Sequence, residues 1–103
     1  MAYDEQIAAE IRKLVPRGTT EKTMFGGLAF LVGGNMAVAA SGQGGLLVRV
    51  DPADGDELVR TTKAEKMVMR GRAMDGWLRV PAGDDLEDWV ARGVAYARSL
   101  PKK

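Results

Sequence analysis

Residues 23–50 read TMFGGLAFLVGGNMAVAASGQGGLLVRV, which is three apolar runs separated by two glycine-rich breaks. Apolar runs of strand length joined by short glycine turns are typical of an antiparallel meander. The pattern predicts a first strand over 24–32, a second over 36–40 and a third over 46–50. Because side chains alternate along a strand, the first two runs are predicted to present apolar residues on both faces of the sheet.

Three segments outside the meander have the sequence signature of helices. Residues 3–15 place their apolar side chains on one helical face. Residues 51–61 begin with Asp51-Pro52, a capping residue followed by a residue suited to the first helical position. Residues 84–99 carry a continuous apolar stripe behind a cluster of acidic residues. We interpret that cluster as helix capping, because a calcium loop would space its ligands around a turn that contains glycine.

Two further strands follow the second helix, an edge strand over 66–70 and a strand over 77–80. An irregular connection is predicted between Gly71 and Gly76. The order of elements is therefore α-β-β-β-α-β-β-α. This order predicts an α+β fold, a two-layer domain in which an antiparallel five-stranded sheet packs with helices. At 103 residues the chain fits a single domain, residues 1–103.

The composition excludes several kinds of chemistry. The chain contains no cysteine and no histidine, which excludes disulfides, thiol catalysis and histidine general bases, and no cofactor is expected. A net charge of +1, from 15 basic and 14 acidic residues, gives no general attraction to nucleic acid. The longest apolar run is far too short to cross a bilayer, and the N-terminus is acidic. We therefore expect a cytoplasmic protein that binds neither a membrane nor, directly, nucleic acid.

Several motifs of the chain occur together in a specific order: EKTMFGGLAF at 21–30, GNMA at 34–37, LVRV at 47–50, GRAMDGW at 71–77, and a closing helix that ends ARSLP at 97–101. This combination resembles the N-terminal domain of the TfoX/Sxy family, named for bacterial regulators of natural competence. The resemblance covers essentially the whole chain, and it ends where the full-length regulators continue into a second, helical domain. It implies a two-layer fold of the secretion-chaperone type, and for stand-alone domains it implies no established activity.

The candidate binding residues belong to a glycine-containing run and to a group of strand residues: Phe25, Gly26, Gly27, Arg49, Arg70, Arg72 and Trp77. The glycine pair could let a ligand or a partner backbone approach closely, although a bend or bulge in a strand is the plainer interpretation. The arginines, if they are adjacent in space, could bind a phosphate or carboxylate group bidentately. Solvated charges that limit aggregation at the sheet edge are the alternative.

The sheet is predicted to be apolar on both faces, whereas the helices of this sequence can cover mainly one. An uncovered second face would expose a contiguous apolar patch of a size that monomers rarely tolerate. We therefore expect a homodimer, or a partner protein, on that face of the sheet. The alternative is that one of the three helices crosses to it.

The leading hypothesis is a non-enzymatic protein-interaction domain, similar to the N-terminal half of a competence-type transcriptional co-regulator, that acts through a partner. The rival hypothesis is a small-molecule- or anion-binding domain, or a catalytic one, with an arginine-lined pocket. An enzyme would have to use carboxylates, lysine or tyrosine, and no paired constellation of these is visible, which makes catalysis the less favoured hypothesis. Direct nucleic-acid binding would require the arginines and lysines to gather on one face.

Overall fold

The computed structural model describes residues 3–24, 26–42, 44–69, 71–81, 83 and 85–101. Within these ranges the chain forms three helices, α1 (Glu5–Leu14), α2 (Pro52–Thr61) and α3 (Leu86–Ser99). It also forms β1 (Thr20–Met24), β2 (Gly27–Val32), β3 (Asn35–Ala40), β4 (Leu46–Arg49), β5 (Glu65–Met69) and β6 (Arg72–Val80). None of the described helices combines the length and the apolar character that crossing a bilayer requires.

The described strands form one antiparallel sheet in the order β1-β2-β3-β4-β6-β5. This confirms the predicted α+β class, but the sheet has six strands where five were predicted. The first predicted strand is in fact a hairpin, because Gly26 has a φ angle of 73° and Met24 pairs with Gly27 across the turn. A positive φ angle of this kind reverses the chain, and glycine adopts it without a steric cost.

The second departure from the prediction concerns residues 71–76, which were expected to be an irregular connection. Gly71 has a φ angle of 77° and makes a hairpin turn, after which β6 begins at Arg72. The predicted strand over 77–80 is therefore only the second half of β6. The predicted edge strand is confirmed, since β5 is the last strand of the sheet.

All described helices pack on one face of the sheet and form its main core. α3 lies across β3 and β4, α1 packs against α3, and α2 packs against β6. Ile11 of α1, Leu58 of α2 and Val90 of α3 belong to this core together with Phe30 and Val48 of the sheet. The alternation of side chains along the first and third apolar runs is confirmed, because Leu28, Phe30, Leu46 and Val48 lie on this face and Ala29 and Leu47 lie on the other.

The other face of the sheet carries a second cluster, which we call the second-face cluster: Ala29, Met36, Ala39, Leu47 and Met67. No described helix contributes to it, yet each of its members is at most 8% exposed in the single chain. Partly buried Met24, Leu31 and Trp77 surround the cluster. The cluster is therefore already buried within the single chain, and the predicted homodimer or partner on this face stays a prediction. Small alanines lie among longer methionine and leucine side chains, so the face closes largely with its own residues.

The start of α3 differs from the prediction in its chemistry. Asp84 lies outside the described residues, and Asp85 occupies the N-cap position without a side-chain hydrogen bond to the helix backbone. Instead, Oδ2 of Asp85 accepts a hydrogen bond of 3.0 Å from the indole Nε1 of Trp89. Trp89 is 4% exposed, so this bond provides the partner that a buried indole N–H requires. By contrast, Asp51 caps α2 as predicted, since its carboxylate accepts from the backbone of Ala53.

α3 approaches β3 very closely at Gly93. Phe30 pairs with Val38 and Leu31 pairs with Met36, so Ala37 is the extra residue of a bulge in β3. A Cβ atom added to Gly93 would lie 2.4 Å from the carbonyl oxygen of Ala37. The helix can therefore lie over the bulge only because residue 93 has no side chain.

Gly93→Ala should lower the free energy of unfolding by about 1–3 kcal/mol, because the added methyl group forces α3 away from the sheet. Gly55→Ala is the matched control, since Gly55 is also helical and its added Cβ would lie 4.0 Å from the nearest atom, the backbone nitrogen of Gly76. That variant should gain about 0.5–1 kcal/mol from the higher helix propensity of alanine. Urea denaturation of both variants measures the difference, and equal stabilisation of the two would contradict the close approach.

Candidate interaction surface

The glycine pair at residues 26 and 27 serves the hairpin between β1 and β2. Gly26 makes the turn, and a Cβ atom on Gly27 would lie 2.0 Å from the carbonyl oxygen of Ala40 on β3. Gly27 is buried, so its backbone approaches another strand of the same chain. Both glycines therefore serve the local structure of the strands, which agrees with the interpretation of the pair as a bend in a strand and not as a ligand contact. Phe25, the third residue of this candidate group, lies outside the described residues.

Arg49 and Trp77 are brought together as a cross-strand pair between β4 and β6. The guanidinium carbon of Arg49 lies 5.3 Å from the centroid of the Trp77 ring and 5.8 Å from that of Tyr96 on α3. All three residues are half-buried, which strengthens the attraction between a cation and an aromatic face. Tyr96 is not among the residues predicted from the sequence, because the helical pattern does not show which residue of α3 reaches the end of β4.

The other candidate arginines do not join this group. Arg72 is exposed and pairs with Met69 beside the β5–β6 turn, whereas Arg49 lies at the end of β4. On β5, Met69 pairs with Arg72 and Lys66 pairs with Leu78, so three β5 residues, about 10 Å of strand, separate Arg72 from the neighbour of Trp77. Arg70 lies outside the described residues. Arg49 lies against Trp77 and Tyr96 while Arg72 is exposed beside the β5–β6 turn, and an arginine-lined pocket shared by the two stays a prediction.

The hairpin formed by residues 67–69 and 71–74 extends beyond the rest of the sheet, and we call it the β5–β6 arm. β4 pairs with β6 only over residues 77–80, so the first part of β6 has β5 as its only strand partner among the described residues. Val68 is 62% exposed, and Arg72 and Ala73 are exposed as well. Val68 and Leu14 are the exposed large hydrophobic residues of the described chain. The arm thus presents an apolar side chain to solvent on a two-stranded ribbon.

The base of the arm is fixed to the body of the domain. Lys66 pairs with Leu78 and Met67 pairs with Met74, so three residues of β6 bulge out between two neighbouring residues of β5. Within that bulge, the carbonyl oxygen of Gly76 accepts a hydrogen bond of 2.8 Å from the backbone nitrogen of Val50. This contact anchors the ribbon at the point where it leaves the sheet.

An ion pair adds a second attachment at the base of the arm. Nζ of Lys66 lies 2.7 Å from Oδ1 of Asp56 on α2. The hydrogen bond from Lys66 lowers the pKa of the Asp56 carboxyl group below its usual value. Asp56 is largely exposed, so solvent screens this pair and its contribution to stability is small. The pair orients β5 against α2 and leaves Val68, two residues further on, in solvent.

Comparison with known proteins gives one match. A family model described as the TfoX N-terminal domain matches residues 14–97, which is most of the chain. The matched range includes the meander, α2, the β5–β6 arm and most of α3. No curated protein and no solved structure matches the chain.

The two described arginines should differ sharply in their effect on stability. Arg49→Ala removes the cation from two aromatic rings and should lower the free energy of unfolding by about 1–2 kcal/mol. Arg72→Ala should change it by less than about 0.5 kcal/mol, because the side chain is exposed. Urea denaturation followed by tryptophan fluorescence measures both.

Arg49→Lys is the control for charge, because lysine keeps the positive charge and loses the planar group that stacks on the rings. Its loss of stability should fall between those of the other two variants. If Arg72→Ala destabilises the protein as much as Arg49→Ala does, the arm is part of the packed structure and is not free to contact a partner.

Proposed function

Because the chain belongs to the TfoX N-terminal domain family, we propose that it is a non-enzymatic protein-interaction domain of a competence-type regulatory system, which acts on transcription by binding another protein. The observation that carries this proposal is the exposed Val68 on the β5–β6 arm. The sequence predicted a partner on the second face of the sheet. We propose that the partner binds the arm instead, because the second-face cluster is already buried within one chain.

The construction of the arm supports a contact role. A two-stranded ribbon is marginally stable on its own, because it has no third strand or helix on which to bury its side chains. On one side of the ribbon Met67 belongs to the second-face cluster, whereas Val68 and Ala73 are exposed. A partner surface that covered Val68 and Ala73 would bury apolar area and stiffen the ribbon at the same time. The ribbon's exposed edge also offers backbone groups to an added strand.

The charges of the molecule favour a protein partner over nucleic acid. The net charge is +1, and Arg72 on the arm is not among the arginines that line the pocket at the end of α3, which are Arg17 and Arg98. Nucleic-acid binding depends on several cations arranged along one surface, because affinity comes mainly from phosphate contacts. The rival function, anion binding by grouped arginines, lacks its geometry, since the Arg49 guanidinium already lies against two rings.

Val68→Asp should abolish binding of the partner protein and the regulation that depends on it, because it places a charge at the centre of the apolar contact. The matched control is Leu14→Asp, which changes the other exposed large hydrophobic residue, on α1. In a deletion strain of the native host, the wild-type chain and Leu14→Asp should restore the transcript profile, whereas Val68→Asp should not. Crosslinking followed by mass spectrometry should map the captured partner to residues 67–74 of the wild-type chain.

Thermal melting serves as the folding control for Val68→Asp, whose cost in stability should not exceed about 1 kcal/mol at an exposed strand position. An unchanged transcript profile after deletion of the gene would contradict the regulatory role. Restoration by Val68→Asp to the level of Leu14→Asp would contradict the role of the arm.

A further inference from the structure

A groove lies between the N-terminus of α2 and the outward face of α3. It has a volume of about 680 Å³, and its lining includes Asp51 and Asp54 of the α2 region and Asp88 of α3. Arg92 is the cation of this lining, so carboxylates outnumber it three to one. Ala91, Ala95, Tyr96 and Ser99 of α3 also line it. The lining of the groove is therefore acidic in net charge and includes small side chains.

The described part of the β5–β6 arm has the opposite charge, because its one charged residue is Arg72. Arg72 is exposed, and none of the ion pairs among the described residues involves it. An acidic surface that met Arg72 would give it the carboxylate partner with which arginine forms its strongest hydrogen bonds.

The arm and the groove are neighbours on either side of the N-terminus of α2. Gly76, at the base of the arm, would bring an added Cβ atom to 3.0 Å from the carbonyl oxygen of Val50 and 3.2 Å from Cγ of Pro52. Val50 and Asp51, in turn, line the groove. A two-fold axis that passes between the arm and the groove would bring the arm of each copy to the groove of the other. Such an interface is isologous, so every favourable contact occurs twice.

We propose that the groove is the docking site for the β5–β6 arm of a second copy of this chain, which forms a symmetric dimer by reciprocal exchange of arms. This inference rests on the proposed function in so far as that function assigns the arm as a contact surface. In the dimer, Arg72 faces the carboxylates of the partner copy's groove and Val68 is covered, so the second copy and the host partner compete for the arm. The opposite charges of arm and groove determine the register of the dimer, as complementary potentials do at protein interfaces.

Sedimentation velocity tests the inference on the full chain, between about 1 μM and about 500 μM, the range in which a dimer of moderate affinity dissociates. The wild-type chain should pass from monomer to dimer within this range. Arg72→Glu should weaken the association at least about tenfold, since the reversed charge meets the acidic groove twice in a two-fold dimer. Asp54→Arg alone should weaken it similarly. The double variant Arg72→Glu with Asp54→Arg should recover an affinity within about threefold of the wild type, because the pair of charges is exchanged.

Arg98→Glu is the matched control, because it makes the same charge reversal at another exposed arginine, which lines neither the arm nor the groove. It should leave the dimerisation constant within about twofold of the wild-type value. Thermal melting of each variant confirms that it is folded before its association is measured.

A wild-type chain that stays monomeric over the whole range overturns the dimer and leaves the proposed function intact, provided that Val68→Asp still loses the host partner. A dimer that Arg72→Glu does not weaken also overturns the inference and locates self-association on another surface, such as the second face. If the wild-type chain is a monomer that captures a host protein, and Arg72→Glu loses this capture, the arm binds a different protein. That result overturns the inference that a second copy binds the arm, and it supports the proposed function. A dimer that depends on the arm but restores no transcripts supports this inference and contradicts the regulatory proposal.

Discussion

All described helices pack on one face of the sheet, and this one-sided layering constrains the rest of the molecule. The opposite face has to bury its apolar side chains without a covering layer. Alanines among methionine, leucine and tryptophan side chains achieve this, and flexible methionine suits such irregular packing. The pairings of β2 with β3 and of β5 with β6 both contain register shifts. Shifts of this kind bend a strand and increase its twist, which allows residues from the edge strands to join the same cluster as residues from the centre.

The burial of the second face also determines how the arm joins the packed part of the domain. Trp77 joins the surroundings of the second-face cluster, and it lies at the end of the three-residue bulge in β6. β4 pairs with β6 only from Trp77 onward. The part of β6 before the bulge therefore pairs with β5 alone, and the hairpin continues as a ribbon of two strands. Its base is tied down by the hydrogen bond between Val50 and Gly76. The exposure of Val68 therefore follows from the lengths of neighbouring strands and needs no strain or unusual backbone to explain it. The geometry that closes the second face also determines where the arm begins.

Much of the fold could be predicted because periodicity reports burial directly. The alternation in β2 and β4 separated the two faces correctly, and Asp51-Pro52 located the start of α2. The hairpin at Gly26 could not be predicted, because a glycine pair within an apolar run is equally compatible with a continuous strand and with a turn. The arrangement of the candidate binding residues was harder to predict than the fold. Alternation assigned Arg49 and Arg72 to strands but carried no information on their separation along the sheet, which the lengths of β4 and β6 decide. The hydrogen bond between Asp85 and Trp89 likewise competes with capping, and sequence spacing does not show which of the two the carboxylate will make.

An exposed valine on an edge strand is a hazard for a soluble protein, because an unpaired strand edge invites indiscriminate pairing with other chains. In this chain Arg72 lies next to Ala73, the residue that pairs with Val68, and its charge opposes the stacking of one arm on another. The same charge favours a surface that supplies carboxylates, since the repulsion is then replaced by attraction. In the dimer that we propose, the acidic groove is such a surface. Salt screens the attraction between Arg72 and carboxylates, so association through the arm should be reversible and should weaken as ionic strength rises. An interface built from the buried second-face cluster would not show this dependence.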